Sequence, residues 1–374
     1  MVKIVKGGEV YAPNKLGKKD ILIVNDRIIA IEDSISVSEL SPLIIDAHDK
    51  IVCPGFIDQH VHITGGGGQF GFASFIPELF ADDLLAVGTT TVLGLLGTDG
   101  FVKELSTLYS KAKALDETGV TAYMLTSYYG LPEKTLCGSV AEDLIYIDKV
   151  IGCKLAISDD RSSFPTLHEI LRLINQVRLG GFSSGKGGIL HIHLGALESR
   201  IDDLLVIAEK YPTLISYISP THCSRTQKLF SDCIKFARAG GMIDISTGGT
   251  TFTNPHKAVQ IALDEGVPLD KMTFSSDGRG GVKRENPATG EITYTPAPLN
   301  LNLKEMINLV RNNILPLEDA LRLITTNPAK NMKIKRKGTL KAGYDADIVI
   351  LNDQMEIDQV ISMGVCRSKN ISGR

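Results

Sequence analysis

Residues 188–223 read GILHIHLGALESRIDDLLVIAEKYPTLISYISPTHC, and they decide the fold class. GILHIHLG is a short apolar run closed by glycine. Ile201, Leu204, Leu205 and Ala208 follow at i, i+3, i+4 and i+7, the spacing of one helix face. ISYISPTHC then returns to a short apolar run. Strand, amphipathic helix and strand in that order describe a parallel pair joined by a right-handed crossover. The same texture extends in both directions. GFIDQHVHI (55–63), TTTVLGLLGT (89–98), TAYMLTSYYG (121–130) and GCKLAISDD (152–160) precede it, and GMIDISTGG (241–249) and KMTFSSDG (271–278) follow. Ile170, Leu171, Ile174 and Val177 supply a helix face one unit earlier. Eight such runs predict a closed (β/α)₈ TIM barrel of roughly 250 residues. The alternative, an open doubly wound sheet, has no GxGxxG after its first strand to support it.

The two ends differ from the middle. KIVKGGEVYAP, KDILIVNDRIIAIED and LIIDAHDKIVCPG are Val/Ile-rich runs punctuated by turn residues, and GTLKAGYDADIVILN and EIDQVISMGVCR repeat that texture at the other end. The expected organisation is a small β-sandwich domain from 1–52 plus 338–374 around a barrel at 53–337. The chain has 374 residues, 43% hydrophobic and 22% charged, which supports a large core and excludes long disorder. Its 40 basic and 43 acidic residues leave a net charge of −3, without the basic excess of a nucleic-acid binder. No run approaches the ~18 apolar residues of a membrane span, and MVKIVKGGEVYAP lacks a signal-like apolar region. Six scattered cysteines without a CxxC pair predict reduced, mostly buried thiols and a cytoplasmic protein. GGGG (65–68) reads as a mobile or tightly folded loop that lets backbone approach a ligand. The polar, Gly/Pro-rich segment 278–298 reads as a lid or a disordered loop.

Active sites of such barrels sit at the C-terminal strand ends. His60 and His62 close the first run, Tyr129 the third, Lys154 lies in the fourth, His193 closes the fifth, His222 the sixth and Asp277 the eighth. Four of the eight histidines thus fall on strand ends. In His60-Val61-His62 the alternate residues point one way, so both imidazoles can reach one ion of the zinc type. Lys154, in an apolar run, either snorkels to the rim, pairs with Asp159 or Asp160, or is carbamylated. In the last case burial lowers the amine pKa, and the neutral amine adds CO₂ to become a two-oxygen anion suited to metals about 3.5–4 Å apart. The four histidines favour the carbamate. Asp277 is either a turn residue before Gly278 or a ligand that takes a proton from a bridging hydroxide nucleophile and passes it to the leaving amine.

PGFIDQHVH with its GGGG, GLLGTD, IGCKLAISDDRS, PTHCSR, GGMIDIS, SSDG and KGTLKAGYDADIVIL together resemble the amidohydrolase superfamily and, within it, the isoaspartyl (β-aspartyl) dipeptidases. That resemblance implies two zinc ions, one on His60, His62 and Asp277 and one on His193 and His222, bridged by carbamylated Lys154. It implies that Tyr129 stabilises the oxyanion, that Arg161 and Arg225 bind substrate carboxylates, and that Thr98 contacts the substrate. It also implies a large homo-oligomer, with an octamer as the candidate assembly. Two positions depart from the pattern. Gln69 stands where the family has a glutamate for the substrate's α-amine, and Gly281 where it has a substrate-contacting serine. The expected activity is zinc-dependent hydrolysis of the isopeptide bond of β-aspartyl dipeptides. The alternative, motivated by Gln69 and Gly281, is hydrolysis of another N-acyl amino acid or a cyclic amide, as in dihydroorotases and hydantoinases.

Overall fold

The computed structural model describes residues 1–367; the end of the expected C-terminal segment, 368–374, lies outside them. Eight parallel strands form the barrel: β1 (Phe56–Val61), β2 (Thr89–Gly94), β3 (Thr121–Ser127), β4 (Val150–Ile157), β5 (Ile189–Leu194), β6 (Ile218–Thr221), β7 (Ile243–Ser246) and β8 (Met272–Ser275). Strands β1 to β6 pair in chain order, and β7 pairs with β8. Backbone hydrogen bonds join the two groups into a ring. Cys223 N–H, just past β6, donates to Asp244 C=O in β7 at 3.1 Å, and His62 N–H, just past β1, donates to Gly278 C=O beyond β8 at 2.9 Å. The predicted closed barrel is therefore the fold.

Every residue of β1, β2, β4 and β5 is buried. Helices cover the outer face and side chains fill the inner one, which is why these strands read as apolar runs rather than alternating ones. The helix Leu167–Ser184 starts at a Thr166–Glu169 capping box and stops at Gly185 with φ +70°. It buries Ile170, Leu173, Ile174 and Val177, so Leu173 takes the deep position and Leu171 the flank. Helix Asp202–Lys210 buries Leu204 and Ile207, close to the predicted face.

The chain ends build one mixed sheet from Val2–Tyr11, Lys15–Val24, Arg27–Glu32, Leu43–Asp46, Ile51–Pro54, Ile348–Leu351, Ile357–Ser362 and Val365–Arg367. Ile348–Leu351 shows how it is fixed to the barrel. Ile348 and Ile350 point into the sheet's own core with Val5, Ile21 and Ile23. Val349 and Leu351 point the other way, into the barrel core with Phe56. A strand buried on both faces has no polar side to show, hence IVIL.

Segment 278–298 is neither a structureless loop nor a helix. It forms an antiparallel hairpin, β9 (Gly281–Glu285) with β10 (Ile292–Pro296), and Phe70 stacks on Tyr294 with ring centres 5.7 Å apart. The glycine run is tightly folded. At Gly65, φ is +74° and a Cβ would stand 1.9 Å from Ile76 C=O, so only glycine fits there. Cys53, Cys153, Cys223 and Cys233 are buried and none of the six cysteines is bridged. Among the described residues no helix is long and apolar enough to cross a membrane.

The join between sheet and barrel also carries a buried ion cluster. Lys337 Nζ donates to Asp347 at 2.6 Å and to Thr121 Oγ1, at the start of β3, at 2.7 Å, and it pairs with Asp345 at 3.0 Å. Removing the cation from buried carboxylates typically costs about 3–5 kcal/mol. Lys337→Ala should lose stability on that scale in urea titrations, while Lys330→Ala, whose partner Asp270 is exposed, should lose under about 1 kcal/mol.

Candidate active site

The carboxyl ends of the strands bring together side chains as far apart in the chain as His60 and Asp277. His60 and His62 stand at the end of β1, and the Nε2 of each lies 3.4 Å from Asp277 Oδ1, beyond β8. The ligand atoms of these three lie within 4.8 Å of one another, a spacing fit for one cation. Lys154, in β4 and fully buried, holds its amine 3.5 Å from His60 Nε2. The His222 ring lies 4.9 Å from His60 and 4.5 Å from His193, centre to centre. All six residues expected to ligate metal therefore converge at one end of the barrel.

The imidazoles are braced from behind. His193 Nε2 lies 2.9 Å from Asp159 Oδ2, and His222 Nδ1 lies 2.6 Å from Ser246 Oγ. His60 Nδ1 lies 2.8 Å from His191 Nε2. His60 and His222 thus spend one nitrogen on the protein and turn the other to the cluster, as metal-binding histidines do. Burial keeps them neutral, the ligating form. It lowers His193 to about 3, against the pull of Asp159, and puts His60 and His222 well below the usual value. Desolvation lowers the Lys154 amine to about 7, opposed by the charges of Asp277 and Asp244. The donor set fits divalent cations: neutral imidazoles, a carboxylate and an amine that readily loses its proton.

Backbone strain collects at the same rim. Ser127, Ser158, His222 and Asp277 have φ between 54° and 67° or, for Asp277, 53°, the left-handed region that side chains avoid. Each lies at or just beyond a strand end. Such residues cost of order 1 kcal/mol apiece and persist where the surroundings fix them.

Above the cluster opens a cavity of about 620 Å³ lined by His62, His193 and Asp277, and by Gln69, Thr98, Tyr129, Arg161, Arg225 and Gly281. His60, Lys154 and His222 lie beneath its floor. Tyr129 OH lies 2.8 Å from His193 Nδ1, and burial raises its pKa, so the phenol keeps its proton. Arg161 gives Nε and Nη2 to Asp159 and turns Nη1 to Gln69 Oε1 at 3.1 Å. Burial raises the Asp159 carboxyl, but His193 and Arg161 pull it well below the carboxylate range. Arg225 pairs with no carboxylate among the described residues, and its buried Nε lacks a partner. Thr98 Oγ1 donates to Gly67 C=O at 3.2 Å. The two positions that break the pattern touch each other, with Gln69 Nε2 3.3 Å from Gly281 C=O.

Sequence reading missed His191, the tie of Asp159 to His193, and Ser246. The period-2 spacing of His191 and His193 matches that of His60 and His62 and would have flagged the first. Nothing local marks Ser246.

The amidohydrolase family model matches residues 254–366. The chain is 38% identical to a crystal structure of β-aspartyl dipeptidase from Fervidobacterium islandicum AW-1 in complex with β-Asp-Leu, with 100% of both chains covered and a TM-score of 0.91. It is 25% identical to the dihydroorotase of Aquifex aeolicus over 94% of this chain and 90% of that one. Dihydropyrimidinase from Brevibacillus agri NCHU1002, 16% identical with a TM-score of 0.67 over 99% of this chain and 95% of that one, shares the fold.

The lowered amine of Lys154 predicts a pH dependence of the metal-free protein. The folded pKa of about 7 lies below the ordinary 10.5. Between those values the unfolded chain binds the extra proton, so the destabilisation is full below pH 7 and relieved as pH rises through the window. Urea unfolding of the metal-free protein should show stability from this group rising between pH 7 and 9, and Lys154→Met should flatten that rise.

Proposed function

The chain belongs to the β-aspartyl dipeptidases of the amidohydrolase family, and from that premise we propose that it hydrolyses the isopeptide bond of β-aspartyl dipeptides with two zinc ions at the barrel mouth. One observation carries the reading. Lys154 is fully buried among the imidazoles of His60, His193 and His222 and has no carboxylate partner within ion-pair distance among the described residues. A structural lysine would carry a counter-ion there. As a neutral amine it forms an N–C bond to CO₂ and releases a proton, becoming an anion with two oxygens. His60, His62 and Asp277 would hold one zinc, His193 and His222 the other, with the Lys154 carbamate shared between them. When bound, the metals would supply Lewis acidity and a water acidic enough to attack near neutral pH.

The chain's own residues do the rest. Asp277 takes the proton of the attacking water and returns it to the leaving α-amine. Tyr129, still protonated, donates to the carbonyl oxygen as negative charge develops there. Arg225, free of any carboxylate, grips one substrate carboxylate as a fork, and Arg161 offers its Nη1 side to the other. Asp159 orients both Arg161 and His193. Gln69 accepts a hydrogen bond from the substrate amine through Oε1 but brings no charge, while Thr98 and Gly281 shape the wall. Residues 53–337 form the catalytic domain, with 1–52 and 338–374 as its support. The unbridged cysteines fit a reducing, cytoplasmic setting.

The direct test is steady-state hydrolysis of β-Asp-Leu beside N-acyl amino acids and cyclic amides such as dihydroorotate. Zinc-loaded protein inert toward β-Asp-Leu but active on another of these would sink the dipeptidase reading. Arg225→Met should keep its zinc by metal analysis and raise KM about tenfold or more, the loss of a charge-assisted bond of ~1.5–3 kcal/mol. Gln69→Glu should restore a charged contact to the amine and lower KM for β-Asp-Leu by about tenfold or more.

A further inference from the structure

Beneath the mouth a chain of buried polar side chains runs down the barrel from His60. His60 Nε2 faces Lys154 Nζ at 3.5 Å and Asp277 Oδ1 at 3.4 Å. Its other nitrogen, Nδ1, stands 2.8 Å from His191 Nε2. His191 is fully buried on β5, in register with Lys154 on β4, and its Nδ1 lies 3.0 Å from Ser219 Oγ. Ser219 and Gln59 Oε1 each accept from Asn331 Nδ2 at 2.8 Å, and Gln59 Nε2 donates to Asp244 Oδ1 at 2.7 Å.

The direction of these bonds follows from the far end as far as Ser219. Asp244 Oδ1 accepts from Gln59, so the Gln59 amide must turn Nε2 to it and Oε1 to Asn331. Asn331 must then present its NH₂, and one of those hydrogens goes to Ser219. The Ser219 hydroxyl can accept a second hydrogen bond or donate its own proton to His191 Nδ1; a metal-binding His60 selects the first, with His191 Nδ1–H as donor. That leaves His191 Nε2 as a lone pair, facing His60 Nδ1 at a distance that requires one donor and one acceptor. A proton on His60 Nε2 instead would aim at Asp277 and leave no lone pair for a cation. With the proton on Nδ1, the lone pair of Nε2 faces the cluster.

We propose that His191 is a positioning residue that accepts the Nδ1–H of His60 and so holds the Nε2 lone pair of His60 toward a divalent cation beside Asp277. This rests on the metal-binding reading above. Asp159 and Ser246 brace His193 and His222 in the same sense, but at His60 the acceptor is a second imidazole, itself held by a hydroxyl that can reverse its bond.

The test reads metal binding rather than turnover. Protein stripped with a chelator is titrated with zinc against a chromophoric competitor, and with Co²⁺ for its visible absorption. His191→Leu, with no acceptor, should bind zinc about 10–100-fold more weakly at one position and alter the Co²⁺ spectrum. His191→Gln, whose Oε1 reaches where Nε2 stood, should stay within about threefold of wild type. A folded His191→Leu that binds zinc like wild type, or a glutamine variant as weak as leucine, overturns the role of His191 and leaves the dipeptidase reading standing. If the leucine variant does not fold, Ser219→Ala decides. Several-fold weaker zinc binding supports the proposal, and unchanged binding overturns it. A wild-type chain that takes up no zinc overturns both readings.

Discussion

The site depends on holding several ligand-type side chains close together, out of water and uncharged. The imidazoles of His60, His193 and His222 and the Lys154 amine would repel one another if protonated, and burial makes each of those protons costly. Desolvation lowers His60, His193, His222 and Lys154 together. The resulting cluster has lone pairs in excess and little charge, with Asp277 as the carboxylate at its edge. Such a group of atoms is poorly satisfied by protein alone and well satisfied by divalent cations.

The rest of the molecule keeps that cluster from relaxing. The parallel barrel delivers the six side chains from β1, β4, β5, β6 and β8 to one end, and the chain turns through left-handed residues at Ser158, His222 and Asp277 just past the strands. Asp159, Ser246 and His191 fix the rings by their outward nitrogens. At a greater distance, the sheet made from the two chain ends covers the barrel through Val349 and Leu351, and Lys337 ties it to β3.

The cavity above the ligands separates chemistry from choice of substrate. Its floor is the donor set, while its wall is built from Arg161, Arg225, Thr98 and the contact between Gln69 and Gly281. The two residues that depart from the dipeptidase pattern lie side by side in the wall. A change at either one reshapes the cavity wall without touching the donor set beneath it. The hairpin Gly281–Pro296 supplies much of that wall, and Gln69 and Phe70 join it to the glycine loop.

The barrel was legible in the sequence, because eight apolar runs with helical spacing between them admit few other foldings. The sequence also pointed to the six side chains that meet at the barrel mouth, because residue type and place along a strand are both local properties. The paired ends were legible too, since runs such as IVIL must bury both faces. The partners emerge only in the folded chain: that Asp159 serves His193 and Arg161 rather than Lys154, that Gln69 meets Gly281, that 278–298 is a hairpin, and that His191 stands behind His60. The physical reason is that a partner is chosen by distance and direction between strands far apart in the chain. Hydrogen bonds fix those pairings, and no local periodicity records which distant donor a buried acceptor will meet.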